Sequence, residues 1–159
     1  MAGDYQDPHY IHGSATLVDR EKLRKRLIAK EALKLDAYRD SLGYWTACVG
    51  HLLGKEEPEQ TEFTPEQCSC FLEKDIDTAE GLAQRYPFYK LLSDARQNIV
   101  VELSFNLGHK LDRFDRFLHF MWTGEFALAG AALKDSLAYK QEKRRFDEII
   151  KALEAGDYP

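Results

Sequence analysis

Two carboxylic acids and a hydroxyl stand at short offsets in the run Glu31 to His51, E-A-L-K-L-D-A-Y-R-D-S-L-G-Y-W-T-A-C-V-G-H. Glu31 and Asp40 are nine residues apart, and Thr46 follows six residues later. Such a set suits hydrolysis of a glycosidic bond, in which one carboxyl protonates the leaving oxygen and the other supports water or the cationic sugar. Spacing alone is weak support. A chain with 27 acidic residues meets such offsets by chance, and a solvated helix end beside a turn carboxylate is the commoner arrangement.

To act together these groups need elements that hold them. Leu23, Leu27, Ile28 and Ala32 recur at helical spacing, so an amphipathic helix is expected from Asp19 to about Leu33, ending just after Glu31. Tyr38 to Asp40 and Tyr44 to Val49 read as short strands joined at Ser41-Leu42-Gly43, where glycine can take the positive φ of a tight turn. That hairpin would set Asp40 and Thr46 beside one cleft. After a charged loop, Thr64-Pro65-Glu66-Gln67 combines an N-cap, a proline at the first helical position and a capping-box glutamine, opening a helix to about Gln84. Beyond Tyr86-Pro87, helices are expected over 93–107, 114–122, 125–133 and 141–155, with Gly108, Gly124 and Gly156 as stops.

The ordered set Glu31, Asp40, Gly43, Thr46 and Gly50-His51-Leu52-Leu53 resembles the phage-type lysozymes. Asp75, the segment Ser104 to Gly108 (S-F-N-L-G), the stretch Ser136 to Gln141 (S-L-A-Y-K-Q) and Arg145 match the same family, so the resemblance runs from Asp19 to Tyr158. It implies an α+β, mostly helical, two-lobed lysozyme fold with a small β-hairpin lobe, a long connecting helix and a helical C-terminal lobe. Residues 1–18 would be a leader or linker and 19–159 the lysozyme domain. Within it, 19–63 would hold the first helix and the β lobe with the active site, 64–84 the connecting helix and 85–159 the helical lobe.

The resemblance implies an endo-acting muramidase that cuts the β-1,4 bond between N-acetylmuramic acid and N-acetylglucosamine in bacterial peptidoglycan. Glu31 would be the general acid, Asp40 would stabilise oxocarbenium-like charge or align water, and Thr46 would hold water attacking from the opposite face, an inverting arrangement. Arg145 would orient Glu31. His51 and Asp75 would form an ion pair tying the hairpin lobe to the connecting helix, while Leu52, Phe105 and Phe117 would line the glycan cleft. Taken without the family, Arg145 is a surface helix residue, His51 an unpaired surface histidine, Leu52 and Phe105 core residues, and Asp40 and Thr46 ordinary turn and strand residues. There are departures: Ala32 and Cys48 stand where glycine is common, and Phe117 and Ala132 replace polar cleft residues, so glycan contacts would differ. The alternative is a catalytically silent glycan-binding or structural virion domain on the same fold, against which the intact Glu31, Asp40 and Thr46 weigh.

Composition narrows the partners. At 159 residues the chain suits one domain, or two small lobes sharing a helix, and its 44% hydrophobic content marks it as globular. A net charge of −5 gives no basic stripe for nucleic acid and no general attraction to an anionic wall or membrane. With no recognition motif either, a helical nucleic-acid-binding or regulatory protein is disfavoured. Cys48, Cys68 and Cys70 are odd in number, and Cys68 and Cys70 point to different faces of a helix, so three reduced, packing cysteines are expected. No apolar run reaches membrane-spanning length, and Met1 to Leu17 lacks a signal-peptide pattern. The expectation is a monomer made in the host cytoplasm and carried to the periplasm or wall by holin action or on a virion. No cofactor or metal is expected, with His9 and His12 read as solvated.

Overall fold

The computed structural model describes residues 19–159, so the expected leader and its His9 and His12 lie outside the described residues. The fold is α+β and mostly helical, with one small antiparallel sheet. The described residues divide into two compact units, one of Glu21–Thr78 and one of Ala79–Pro159 with Asp19 and Arg20.

The first unit opens with α1, Arg20–Glu31, which buries Leu23 and Leu27 one turn apart. Three strands follow, β1 (Lys34–Arg39), β2 (Trp45–Cys48) and β3 (His51–Gly54), in the order β1-β2-β3. The first strand starts earlier than expected because it has partners on both edges. Beside β2 on one side, it accepts the returning loop on the other, with Ala37 N–H donating to Thr61 O at 2.7 Å and Phe63 N–H to Leu35 O at 2.8 Å. β3 is an addition, since four residues after a glycine carry too short a pattern to separate strand from loop. Helix α2, Pro65–Gln84, starts on the expected capping box: Gln67 N–H donates to Thr64 Oγ1 at 3.2 Å and Thr64 N–H to Gln67 Oε1 at 3.0 Å. Arg24 Nε donates to Glu73 Oε1 at 2.6 Å, tying α1 to α2.

The cysteine expectation is overturned. Cys48 and Cys68 form a disulfide with Cα atoms 4.9 Å apart, and Cys70 alone is free and exposed. The helix-face argument excludes only the pair Cys68 and Cys70. Folding lays the end of β2 on the first turn of α2, in a buried cluster with Ala47 and Phe63, and that long-range approach supplies the partner.

The second unit is built round α3, Asp94–Leu107, whose residues from Arg96 to Ser104 are all buried. Its polar residues satisfy neighbours. Arg96 Nε donates to Leu153 O at 3.0 Å and Gln97 Nε2 to Tyr89 O at 3.0 Å, while Glu102 Oε2 accepts from Tyr158 Oη at 2.7 Å. Around it stand α4 (Asp115–Thr123), α5 (Phe126–Lys134), the short α6 (Leu137–Gln141) and α7 (Lys143–Ala155).

Candidate active site

Glu31 is the last residue of α1 and is half-buried. The helix stops there because Ala32 turns left-handed, with φ 59°, while its N–H still donates to Ile28 O at 3.0 Å. The Glu31 carboxyl then lies against the turn between β2 and β3: a Cβ placed on Gly50 would stand 3.2 Å from Glu31 Oε2. Gly50 itself has φ 64°.

Asp40 sits at the start of the hairpin turn. Its Oδ1 accepts from Leu42 N–H at 2.9 Å and Tyr44 N–H at 2.8 Å, and its backbone pairs with Tyr44 and Gly43. The ordinary turn role of an aspartate is therefore present here, and it fixes the carboxylate's orientation.

Thr46 lies on the central strand, 6% exposed, directly opposite Tyr38 on β1 and Leu52 on β3. Directly paired residues of antiparallel strands share a face, so Tyr38, Thr46 and Leu52 form a row across the sheet. Leu52 is 58% exposed. Burial first, then the charges of Glu31 and Asp40, raise the Tyr38 phenol above its ordinary pKa. Both carboxylates thus act on one ring that is itself paired with Thr46, so the fold gathers Glu31, Asp40 and Thr46 in one neighbourhood.

His51 Nδ1 is 2.8 Å from Asp75 Oδ2, and its ring stacks on Phe71 with centroids 4.2 Å apart. This pair joins β3 to α2. The remaining expected residues belong to the helical unit. Phe105 is half-buried on α3. Arg145 is 7% exposed on α7, with Nη1 3.5 Å from Glu142 Oε2 and Nε 3.8 Å from Glu102 Oε1. Phe117 is 1% exposed, so its expected contact with a sugar gives way to a place in the core of that unit. Among the described residues no group of three or more His, Cys, Asp or Glu could hold a metal ion, and no helix is long and apolar enough to cross a membrane.

Compared with known proteins, residues 29–146 match the family described as phage lysozyme. The chain belongs to the phage lysozyme family. A protein named Probable T4-type lysozyme 1 from Dictyostelium discoideum is 22% identical over 152 residues, covering 79% of this chain and 89% of that protein. Probable T4-type lysozyme 2 from the same organism is 22% identical, covering 84% of this chain and 94% of that protein. The Pre-baseplate central spike protein Gp5 of Enterobacteria phage T4 is 23% identical, covering 80% of this chain but 26% of that protein.

Two positions of this phage lysozyme hold a side chain on backbone that favours glycine. Ala32 and Cys48, with φ 59° and 58°, are the non-glycine residues with positive φ among those described. Each left-handed conformation costs about 1–2 kcal/mol. Sequence reasoning passed over Tyr38, read only as the start of a strand. Its signal is the two-residue offset from Asp40, which puts both on one side of an extended segment.

Proposed function

We propose that this phage lysozyme is an endo-acting muramidase that hydrolyses the β-1,4 bond between N-acetylmuramic acid and N-acetylglucosamine in bacterial peptidoglycan. The observation that carries the reading is the gathering of Glu31, Asp40 and Thr46 about Tyr38, in a chain of this family. Glu31 is the general acid that protonates the leaving oxygen. Asp40 stabilises the cationic sugar and aligns water, and Thr46 holds that water, since a hydroxyl both donates and accepts. Leu52 lines the glycan path, and the His51–Asp75 pair sets the sheet on α2.

The match to a phage spike protein favours a second use of the same chemistry, opening the wall from a particle in place of releasing progeny from within. The deciding experiment for activity is release of reducing ends from purified peptidoglycan by the unmutated chain and by Glu31→Gln. The amide keeps the shape and cannot give the proton, so turnover should fall by about 10² to 10⁴. A folded Glu31→Gln protein that retains more than about a tenth of the rate would remove Glu31 from the role.

A further inference from the structure

We propose that Tyr38 is a substrate-contacting residue of this site, its hydroxyl donating a hydrogen bond to a hydroxyl or acetamido oxygen of the sugar ring held between Glu31 and Asp40. The inference rests on the muramidase reading and adds to it a contact that no residue pattern assigns.

Its placement comes first. Tyr38 pairs directly with Thr46, which in turn faces Leu52, so the ring stands in the row that crosses the sheet, two residues along the chain from Asp40. The side chain is half-buried, leaving part of it open to a ligand. One face of the ring is covered by the Lys34 ammonium, 4.1 Å from the centroid, a cation–π contact that holds the ring in place.

The hydroxyl comes next. Among the described residues it has no hydrogen-bond partner, and Glu31 and Asp40 act on it by charge alone. A phenol is protonated at neutral pH, and burial with the same two charges pushes its pKa higher still, so it serves as a donor. A donor flanked by two acids suits a neutral, oxygen-rich ligand and repels none of its groups. A sugar ring supplies hydroxyl and amide oxygens at hydrogen-bond spacing; an anionic ligand would meet both carboxylates. The charged groups facing the phenol are Glu31 from α1, Asp40 from the hairpin turn and Lys34 from β1.

The test removes the hydroxyl and keeps the ring. Affinity for an N-acetylglucosamine tetramer is measured by calorimetry for Glu31→Gln and for Glu31→Gln with Tyr38→Phe, alongside kcat/KM for Tyr38→Phe on purified peptidoglycan. Both should fall about tenfold, the worth of one neutral hydrogen bond, with an unchanged melting temperature. A second measurement needs no deletion: 3-fluorotyrosine placed at position 38 gives a fluorine NMR signal that should shift as the tetramer is added. Equal affinities in the two backgrounds, a loss that merely follows a lowered melting temperature, or a fluorine signal indifferent to the sugar would each overturn the assignment. No reducing ends from the unmutated chain would remove the muramidase reading itself, whereas release with equal affinities would overturn the Tyr38 contact alone.

Discussion

The carboxyl of Glu31 lies against Gly50: a Cβ placed there would stand 3.2 Å from Oε2, closer than side chains ordinarily pack. The two residues come from different elements, the end of α1 and the turn before β3, so the position of the acid depends on residue 50 having no side chain. Gly50→Ala should therefore do two things. The left-handed φ of 64° costs about 1–2 kcal/mol in stability. The added methyl also presses on Glu31 Oε2, which must give by a few tenths of an ångström, so turnover should fall, though by less than the roughly 10²-fold that a full ångström of misplacement costs. Turnover measured well below both melting temperatures separates the effects, and an unimpaired kcat would sink the second.

Stereochemistry gives a test independent of lysis. If Thr46 holds the attacking water, the Glu31 and Asp40 carboxyl groups stand about 6.5–9.5 Å apart in the working enzyme and the first product is the α-anomer. Thr46→Glu puts a carboxylate in the place of that water and should slow turnover or trap the glycosyl species. NMR of fresh product, before mutarotation, decides. A β-anomer appearing first would mean retention.

The disulfide can be tested through its own backbone. Cys48 and Cys68 are 20 residues apart, so reduction should cost about 3 kcal/mol of stability by the loop-closure estimate. Cys48→Gly lacks the link but relieves the left-handed φ of 58°. Under reducing conditions Cys48→Gly should be the more stable by about 1 kcal/mol, and without reductant the less stable. Melting curves that ignore the reductant would argue that the bond does not form in solution.

In the helical unit, Asp112 accepts from Tyr86 Oη at 2.6 Å and from Arg85 Nη2 at 3.0 Å. The Tyr86 hydrogen bond, then Arg85, holds its pKa at about 2. The folded value lies below that of an unfolded aspartate, so the carboxylate contributes stability above about pH 4 and loses it as pH falls through about 2. Asp112→Asn should therefore melt lower than the unmutated chain near neutrality, with the gap closing on acidification. A gap that stays constant down to about pH 2 would show that the charge is not what matters.

Local chemistry was legible in the sequence and long-range approach was not. Thr64 and Gln67 cap α2 as read, because the capping box is a contact within four residues. Glu31 falls at the end of α1, close to where the helical spacing of Leu23, Leu27, Ile28 and Ala32 runs out. By contrast, the return of Thr61 to Phe63 along β1 depends on pairing across distant segments, which no short window contains, while β3 pairs locally with β2 but is too short to show a pattern. The disulfide was missed for the same reason, since Cys68 meets Cys48 only after β2 lies on α2. Phe117 illustrates a different failure: an apolar residue at helical spacing looks the same whether it lines a cleft or fills a core, and here it fills the core. Tyr38 was hidden by having two identities, a strand former in the sequence and a phenol beside two acids in the fold.

Asp40 is recruited twice, and that constrains how this lineage can change. Its Oδ1 holds the hairpin by two backbone amides, whereas the proposed chemistry asks for its charge. Alanine at this position would forfeit hydrolysis and loosen the loop together. Asparagine keeps an oxygen acceptor and gives up only the charge. Drift from an enzyme to a mere wall-binding module thus has a narrow passage here, through Asp40→Asn, and descendants that kept the shape after losing the reaction should be found on the far side of it.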